Sequence, residues 1–418
     1  MHIPFFLTDI SNICGRGRLP FHLLPSDVLP LPTEIWEQTI DWICVEKWET
    51  SIPYPTTRTL YRCALVCRAW RDRSRMHLWS HVALKARDIP KLQMALRSGL
   101  GFPSSFIKRL SICEEGNWPI SALLVSWKWE NLTYLQFIIL DLSRQHVLCA
   151  RATLPWTVRV LHIHQLYKGT VSRLLRFLNC FHSLENLYMF IGHQTELESN
   201  GEVLPPPKTK HNRSLTSLDI GITPGVNKLI HWYLREGVFL HSLRNLIVRL
   251  RLVPEGPDFQ VYCDGLKALL DHCTDTLEHL GIALGYEKKM DEFVDICMLC
   301  YLTARSTYEA NESLVKPLSF PKLRKLTWSG CNITALFHFA AKQLATVSSP
   351  TKITEILFLI DLEDYEPVRE TCRVIDEVLT GDNFPLLREV QLHKFVPFDL
   401  FPALESNGVL SVFRLYQK

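Results

Sequence analysis

Glycine is scarce in this chain, 18 of 418 residues, which excludes collagen-like and glycine-rich low-complexity compositions. Charge of one sign is lacking as well. Lys and Arg total 46 against 43 Asp and Glu, a net charge of +3, too balanced for a general polyanion binder or a polybasic membrane-surface protein. Long apolar runs are missing too. The densest, residues 135–142 and 353–362, are broken by polar side chains and fall short of the roughly 20 residues that a spanning helix needs. The opening Met1-His2-Ile3-Pro4-Phe5-Phe6-Leu7 has neither the basic start nor the extended apolar stretch of an export signal. The 13 cysteines are odd in number and irregularly spaced, unlike a disulfide framework, so reduced thiols in the cytosol and/or the nucleus are expected.

Catalytic motifs are absent too. There is no Gly-x-Ser-x-Gly elbow, no Walker loop and no glycine-rich dinucleotide turn. Cys297 and Cys300 share helical spacing with Phe293 and Ile296, and no second Cys or His pair follows at zinc-site distance. His162 and His164 share a strand face without a third ligand nearby. The expectation is a non-enzymatic protein with no cofactor and no metal, binding neither nucleic acid nor membrane.

What is present is apolar: 47% of residues are hydrophobic, enough for one long repeat array or two to three globular units. Residues 1–30 show no lasting periodicity and read as a flexible arm. From Leu31 onward a helical pattern begins. Pro32 suits a first helical position, and Ile35, Trp36, Thr39, Ile40 and Ile43 then share one side. Pro53 and Pro55 interrupt, after which Thr57 or Thr59 can cap a second helix carrying Leu60, Ala64 and Cys67. A third short helix is expected around Trp70, with Leu78 and Trp79 closing a three-helix cluster.

Leu31-Pro32-Thr33-Glu34-Ile35, then Leu65-Val66-Cys67-Arg68-Ala69-Trp70, then Leu78-Trp79 resemble the ordered blocks of an F-box, here spanning 31–84. The stretch from Glu46 to Tyr54 is longer than in the compact form of that motif. The resemblance implies docking to the Skp-type adaptor, and through it a cullin, of a Skp–cullin–F-box ubiquitin ligase. Leu31, Pro32, Ile35, Val66 and Trp70 are the matching adaptor-binding positions. Between Arg58 and Lys91 nine Lys/Arg face Asp72 and Asp88, a local balance of +7. That segment reads as a solvated helix face or as steering toward an acidic partner surface, with a nucleic-acid patch, which no recognition motif accompanies, as the weaker third reading.

Past Ser105 one frame recurs, apolar-x-x-apolar-x-apolar. It begins at Ile107, Leu132, Val158, Leu184, Leu215, Leu243, Leu277, Leu323, Ile353 and Leu387, with an eleventh at Leu410. Six of these frames carry Leu at both leading positions, where the leucine content predicts about two or three. Successive starts lie 25, 26, 26, 31, 28, 34, 46, 30 and 34 residues apart, close to one strand-plus-helix unit. Between frames, Val171, Leu174, Leu175 and Leu178 make a helical stripe, as do Leu266, Leu269, Leu270 and Cys273 after an Asp264 cap. Val374, Ile375, Val378 and Leu379 form another. Residues 194–213 and 287–320 read as insertions.

This alternation resembles the leucine-rich repeat. The expected fold is therefore α/β, a short N-terminal three-helix F-box followed over 105–418 by a strand–helix solenoid with a parallel concave sheet; an unrelated α/β domain is the alternative. Period-two geometry points Tyr134 outward and exposes Gln136, His162, Tyr188, Asp219, Ile247, Gly281, Thr327, Leu357 and Gln391 in one outward row. His164, Phe190, Arg249 and His393 lie one step further. His162, Tyr188, Asp219 and Arg249 are the candidate target-binding residues, giving a substrate-recognition adaptor whose arc holds a target protein. A ligase-independent scaffold would use the same arc.

Overall fold

The structure is a computed structural model. It describes residues 33–45, 54–85, 104–113, 129–142, 157–190, 215–222, 242–250, 267–284, 320–360 and 368–413, apart from 165, 179, 331–332, 346, 348–350 and 394–395, and a few isolated residues beside them. The expected arm 1–30, Leu31, Pro32, Asp264, Leu266, Cys297 and Cys300 lie outside the described residues, as does nearly all of the two expected insertions.

Three 13-residue helices come first: α1 (Thr33–Val45), α2 (Tyr54–Val66) and α3 (Arg68–Ser80). α2 starts at Tyr54, one turn before the expected threonine caps, because Pro55 fits the first turn, where its missing N–H is not needed. Among the described residues Ile40 and Leu60 form the trio's buried apolar cluster, with Trp70 and Leu78 packed on them, and the Trp36 and Trp70 rings meet at 4.9 Å. Ion pairing adds to this small core. Asp41 on α1 accepts from Arg73 through both oxygens and contacts His77 Nε2 at 2.7 Å. The guanidinium of Arg73, against desolvation and with help from His77, holds the Asp41 carboxyl down at about 2. One arginine of the +7 segment is thus a tie between helices rather than a solvated charge. Cys67, expected on a core face with Cys63, lies exposed between α2 and α3. Its Sγ caps α3 by accepting from Trp70 N at 3.5 Å, while Cys63 is buried.

α3 runs directly into β1 (His81–Lys85), the first strand of a parallel sheet. That strand falls inside the range counted above with the helical module. Trp79 packs into the sheet's core while its neighbour Leu78 packs into the trio, so one dipeptide joins the two cores. The sheet continues through β2 (Arg109–Cys113), β3 (Tyr134–Asp141), β4 (Val160–Ile163), β6 (Asn186–Met189), β8 (Ser217–Ile222), β9 (Asn245–Leu250), β10 (His279–Leu284), β11 (Lys325–Gly330), β12 (Glu355–Ile360), β13 (Glu389–His393) and β14 (Leu410–Phe413), each parallel to the last. β5 (Leu166–Thr170) and β7 (Leu197–Glu198) make a short side ladder on β3.

Each frame from Ile107 to Ile353 contributes the same three buried residues. Leu132, Leu135 and Phe137 are the β3 set, and Leu243, Leu246 and Val248 the β9 set. The sets join into one core from Val82 to Leu404. A backbone link repeats at each step. The carbonyl of the second frame residue accepts two amides from the next frame: Lys108 O from Thr133 N and Tyr134 N, Thr133 O from Arg159 N and Val160 N, and so on through Thr354 O, which takes Arg388 N and Glu389 N. This link holds the register, so equivalent positions of successive strands lie side by side.

Helices α4 (Val171–Leu178), 267–273, α5 (Ile333–Ala345) and α6 (Arg369–Leu379) cover the sheet between strands, strand–helix alternation of the kind a solenoid requires. Leu174, Leu175 and Leu178 are buried as expected, and so are Leu269, Leu270 and Cys273. On α6 the expected stripe is shifted. Thr371, Cys372, Ile375, Asp376 and Leu379 face inward, whereas Val374 is exposed. Asp376 takes an inner place because it caps another helix. Its carboxylate accepts Ala403 N and Leu404 N, each at 2.9 Å, at the start of α7 (Pro402–Ser406). The frame placed at Leu410 is also corrected. Register sets Leu410 beside Val390 and Val412 beside Leu392, so Leu410 is the fourth position of a frame starting at Asn407. A polar residue at the first position hid that start.

Among the described residues no helix is long and apolar enough to cross a membrane.

Candidate functional site

With one sheet face buried under helices, the opposite face carries the polar and aromatic side chains. Register aligns Ser111, Gln136, His162, Tyr188, Asp219, Ile247, Gly281, Thr327, Leu357 and Gln391 in a single row, as period-two alternation predicts. On β3, β4 and β6 the row becomes a stack of rings. Tyr134 meets His162 at 4.9 Å between centroids, and His162 meets Tyr188 at 3.9 Å. The Arg109 guanidinium carbon lies 4.2 Å from the centre of the Tyr134 ring, a cation–π contact at one end of the stack. Ser111 donates to Gln136 at 2.8 Å, and Gln136 in turn contacts His164, whose ring is 6.0 Å from that of His162.

At the other end of the stack, Arg249 grips Asp219 through two parallel hydrogen bonds of 2.7 and 2.6 Å. Asp219 is only 4% exposed, so this fork neutralises a carboxylate that has little water around it. Phe190 lies against the next strand at Gly221, where a Cβ would stand 3.0 Å from its ring, tighter than nine in ten real contacts of that kind. The candidates His162, Tyr188, Asp219 and Arg249 are therefore brought together, but Asp219 serves as an anchor for Arg249 rather than as an exposed acid. Arg109 and Tyr134 were not among the candidates. An arginine one residue before the second apolar position of its frame and a tyrosine in the same place one frame later were legible, but their stacking depends on register.

Burial depresses the face histidines. His81, next to Arg109, is pushed down to about 4, as are His162, next to His164 and Arg109, and His279, next to Lys325; His164 is lowered in the same way. These rings are neutral at pH 7. The unfolded chain, with histidine near 6.5, binds more protons than the fold between about pH 6.5 and 4, so stability is full above that window and falls as pH drops through it. The thermal midpoint should hold between pH 8 and 7 and decline steadily toward pH 4.5, before the Asp41 carboxylate begins to protonate. A circular-dichroism melting series checks this, and a flat profile over that range would contradict the burial of these rings.

On the helical trio, Ile35 is 44% exposed, Leu65 71% and Val66 50%, whereas Trp70 is half-buried. The Trp36–Trp70 contact draws the start of α1 to the α2–α3 junction, placing these three at one end of the module. Leu65 was not among the candidates. Its signal was the run Ala64-Leu65-Val66, since three consecutive helical residues cannot all face one core. Arg62, Arg68 and Arg75 are exposed nearby.

The buried thiols are chemically quiet. Burial pushes Cys273 and Cys372 up to about 12. Among the described residues no group of three His, Cys, Asp or Glu side chains is placed to hold a metal ion. No protein-family model matches the chain, and no curated protein matches it.

Proposed function

We propose that this protein is a substrate-recognition adaptor of a Skp–cullin–F-box ubiquitin ligase, with the helical trio docking the Skp-type adaptor and the open sheet face holding a target protein. One observation carries the reading. Ile35, Leu65 and Val66 are exposed at one end of a module whose buried apolar cluster, among the described residues, is Ile40 and Leu60, and such side chains call for a partner to cover them. All three fall in the sequence blocks that resemble an F-box, Leu31-Pro32-Thr33-Glu34-Ile35 and Leu65-Val66-Cys67-Arg68-Ala69-Trp70. Exposed Arg62 and Arg68 flank Leu65 and Val66 in sequence and favour an acidic partner surface, speeding association more than tightening it.

The chemistry is then proximity. α3 passes into β1 without a linker, and Trp79 ties both parts together, so a bound target would stand in a defined relation to the docked adaptor. Ile35→Asp combined with Val66→Asp should cut recovery of a Skp-type adaptor by about a hundredfold or more, because charge is placed in two contacts that must be desolvated. Both positions are exposed, so melting should be unchanged. Co-purification with the full chain measures this, and undiminished recovery would remove the docking claim. The scaffold alternative predicts that removing the chain alters no protein's turnover.

A further inference from the structure

The charges on the open face are not evenly spread. Among the described residues on the outward rows of the main-sheet strands β1 to β4, β6 and β8 to β10, Lys85, Arg109 and Arg249 stand against one acid, Asp219, a balance of +2. On β11 to β13 the sign reverses, with Lys325 beside Glu355 at 3.0 Å and Glu389 on the following strand. The ring stack lies entirely in the positive part, and the matching row positions on β10 and β11 are Gly281 and Thr327. Arg109 sits where the positive part meets the rings. Its Nε is shielded from solvent and has no acceptor among the described residues.

From this we infer that the face between β2 and β9 binds an extended acidic peptide that lays an aromatic side chain on the Tyr134–His162–Tyr188 stack and sets a carboxylate against Arg109. The inference rests on reading the open face as the target surface and names its ligand class. A carboxylate at Arg109 would meet a guanidinium already held over the Tyr134 ring, so little side-chain freedom is lost on binding. The rings offer area at low entropic cost, and burial keeps the histidines uncharged at neutral pH, so a ligand ring meets an aromatic surface. A single-stranded nucleic acid could also stack here. It would need a row of cations tracking its phosphates, and this half of the face carries a balance of only +2.

The probe is a fluorescently labelled random copolymer of glutamate and tyrosine, titrated into the full chain and read by anisotropy. Polyglutamate, a lysine–tyrosine copolymer and a single-stranded oligonucleotide serve as comparisons. The glutamate–tyrosine copolymer should bind best, and Arg109→Gln and Tyr188→Ala should each weaken it about tenfold. Gln391→Ala, in the same row on β13, should leave binding unchanged. If Tyr188→Ala does not fold, Tyr188→Leu keeps the bulk and removes the ring. Copolymer affinity unchanged in both variants, or an oligonucleotide that binds more tightly, would overturn the inference. Absent copolymer binding with adaptor recovery intact removes this inference alone, whereas copolymer binding by a chain that recovers no adaptor supports it and removes the ligase reading instead.

Discussion

Truncating Phe137 to alanine is expected to lower the unfolding free energy by about 3–5 kcal/mol, the usual cost of emptying an aromatic site in a packed core. Phe137 is fully buried at the sixth frame position of β3. Its ring stands edge-on to Phe177 at 5.6 Å, and Phe177 meets Phe181 in the same way at 5.1 Å. α4 and the turn after it thus hang on this ring. The residue is also paired with Ile163, so the strands bearing Tyr134 and His162 lose support together. Because a repeat array is stabilised by contacts between neighbouring units, the damage should be regional. Hydrogen exchange should rise first on β3, β4 and α4 while β11 to β14 stay protected. Urea denaturation measures the loss, and a change below about 1 kcal/mol would mean that Phe137 is not packed as described.

At the other end of the array, Asp376→Ala should cost about 3 kcal/mol, since two charge-assisted hydrogen bonds vanish and two shielded amides are stranded at the start of α7. Asp376→Asn retains one acceptor and should cost about half as much. The order alanine, asparagine, wild type in denaturation midpoint is the expected outcome. Equal midpoints for all three would refute the cap. Asp376 sits where an apolar stripe was expected, and its burial reflects a contact with residues about 27 positions later in the chain. Local periodicity registers an amphipathic helix but not a polar group whose partner arrives from elsewhere.

The same distinction runs through the whole molecule. Alternation along a single strand determined which residues face the core, because side-chain direction on a strand is a local property. The frames from Ile107 to Leu387 therefore lay on strands as expected. The frame at Leu410 was misplaced by three residues because its start, Asn407, is polar, and only the pairing of Leu410 with Val390 reveals the offset. Helix faces were legible where burial is apolar, as on α4, and illegible where an ion pair or a cap intervenes, as with Arg73 on Asp41 and Asp376 on α7.

For the candidate site, the sequence by itself determined the composition of the open face: tyrosines and histidines at outward positions of β3, β4 and β6, and a helical module with too many apolar residues for its own core. Tertiary structure alone decided their relations. Successive strands come into register through the shared carbonyl that accepts two amides at each step, and that link stacks His162 between Tyr134 and Tyr188, sets Arg109 on the end of the stack and closes Arg249 over Asp219. The reason is physical. A strand's faces follow from its own backbone, whereas contacts between strands some 20 to 46 residues apart depend on hydrogen bonds that exist only once the chain has folded.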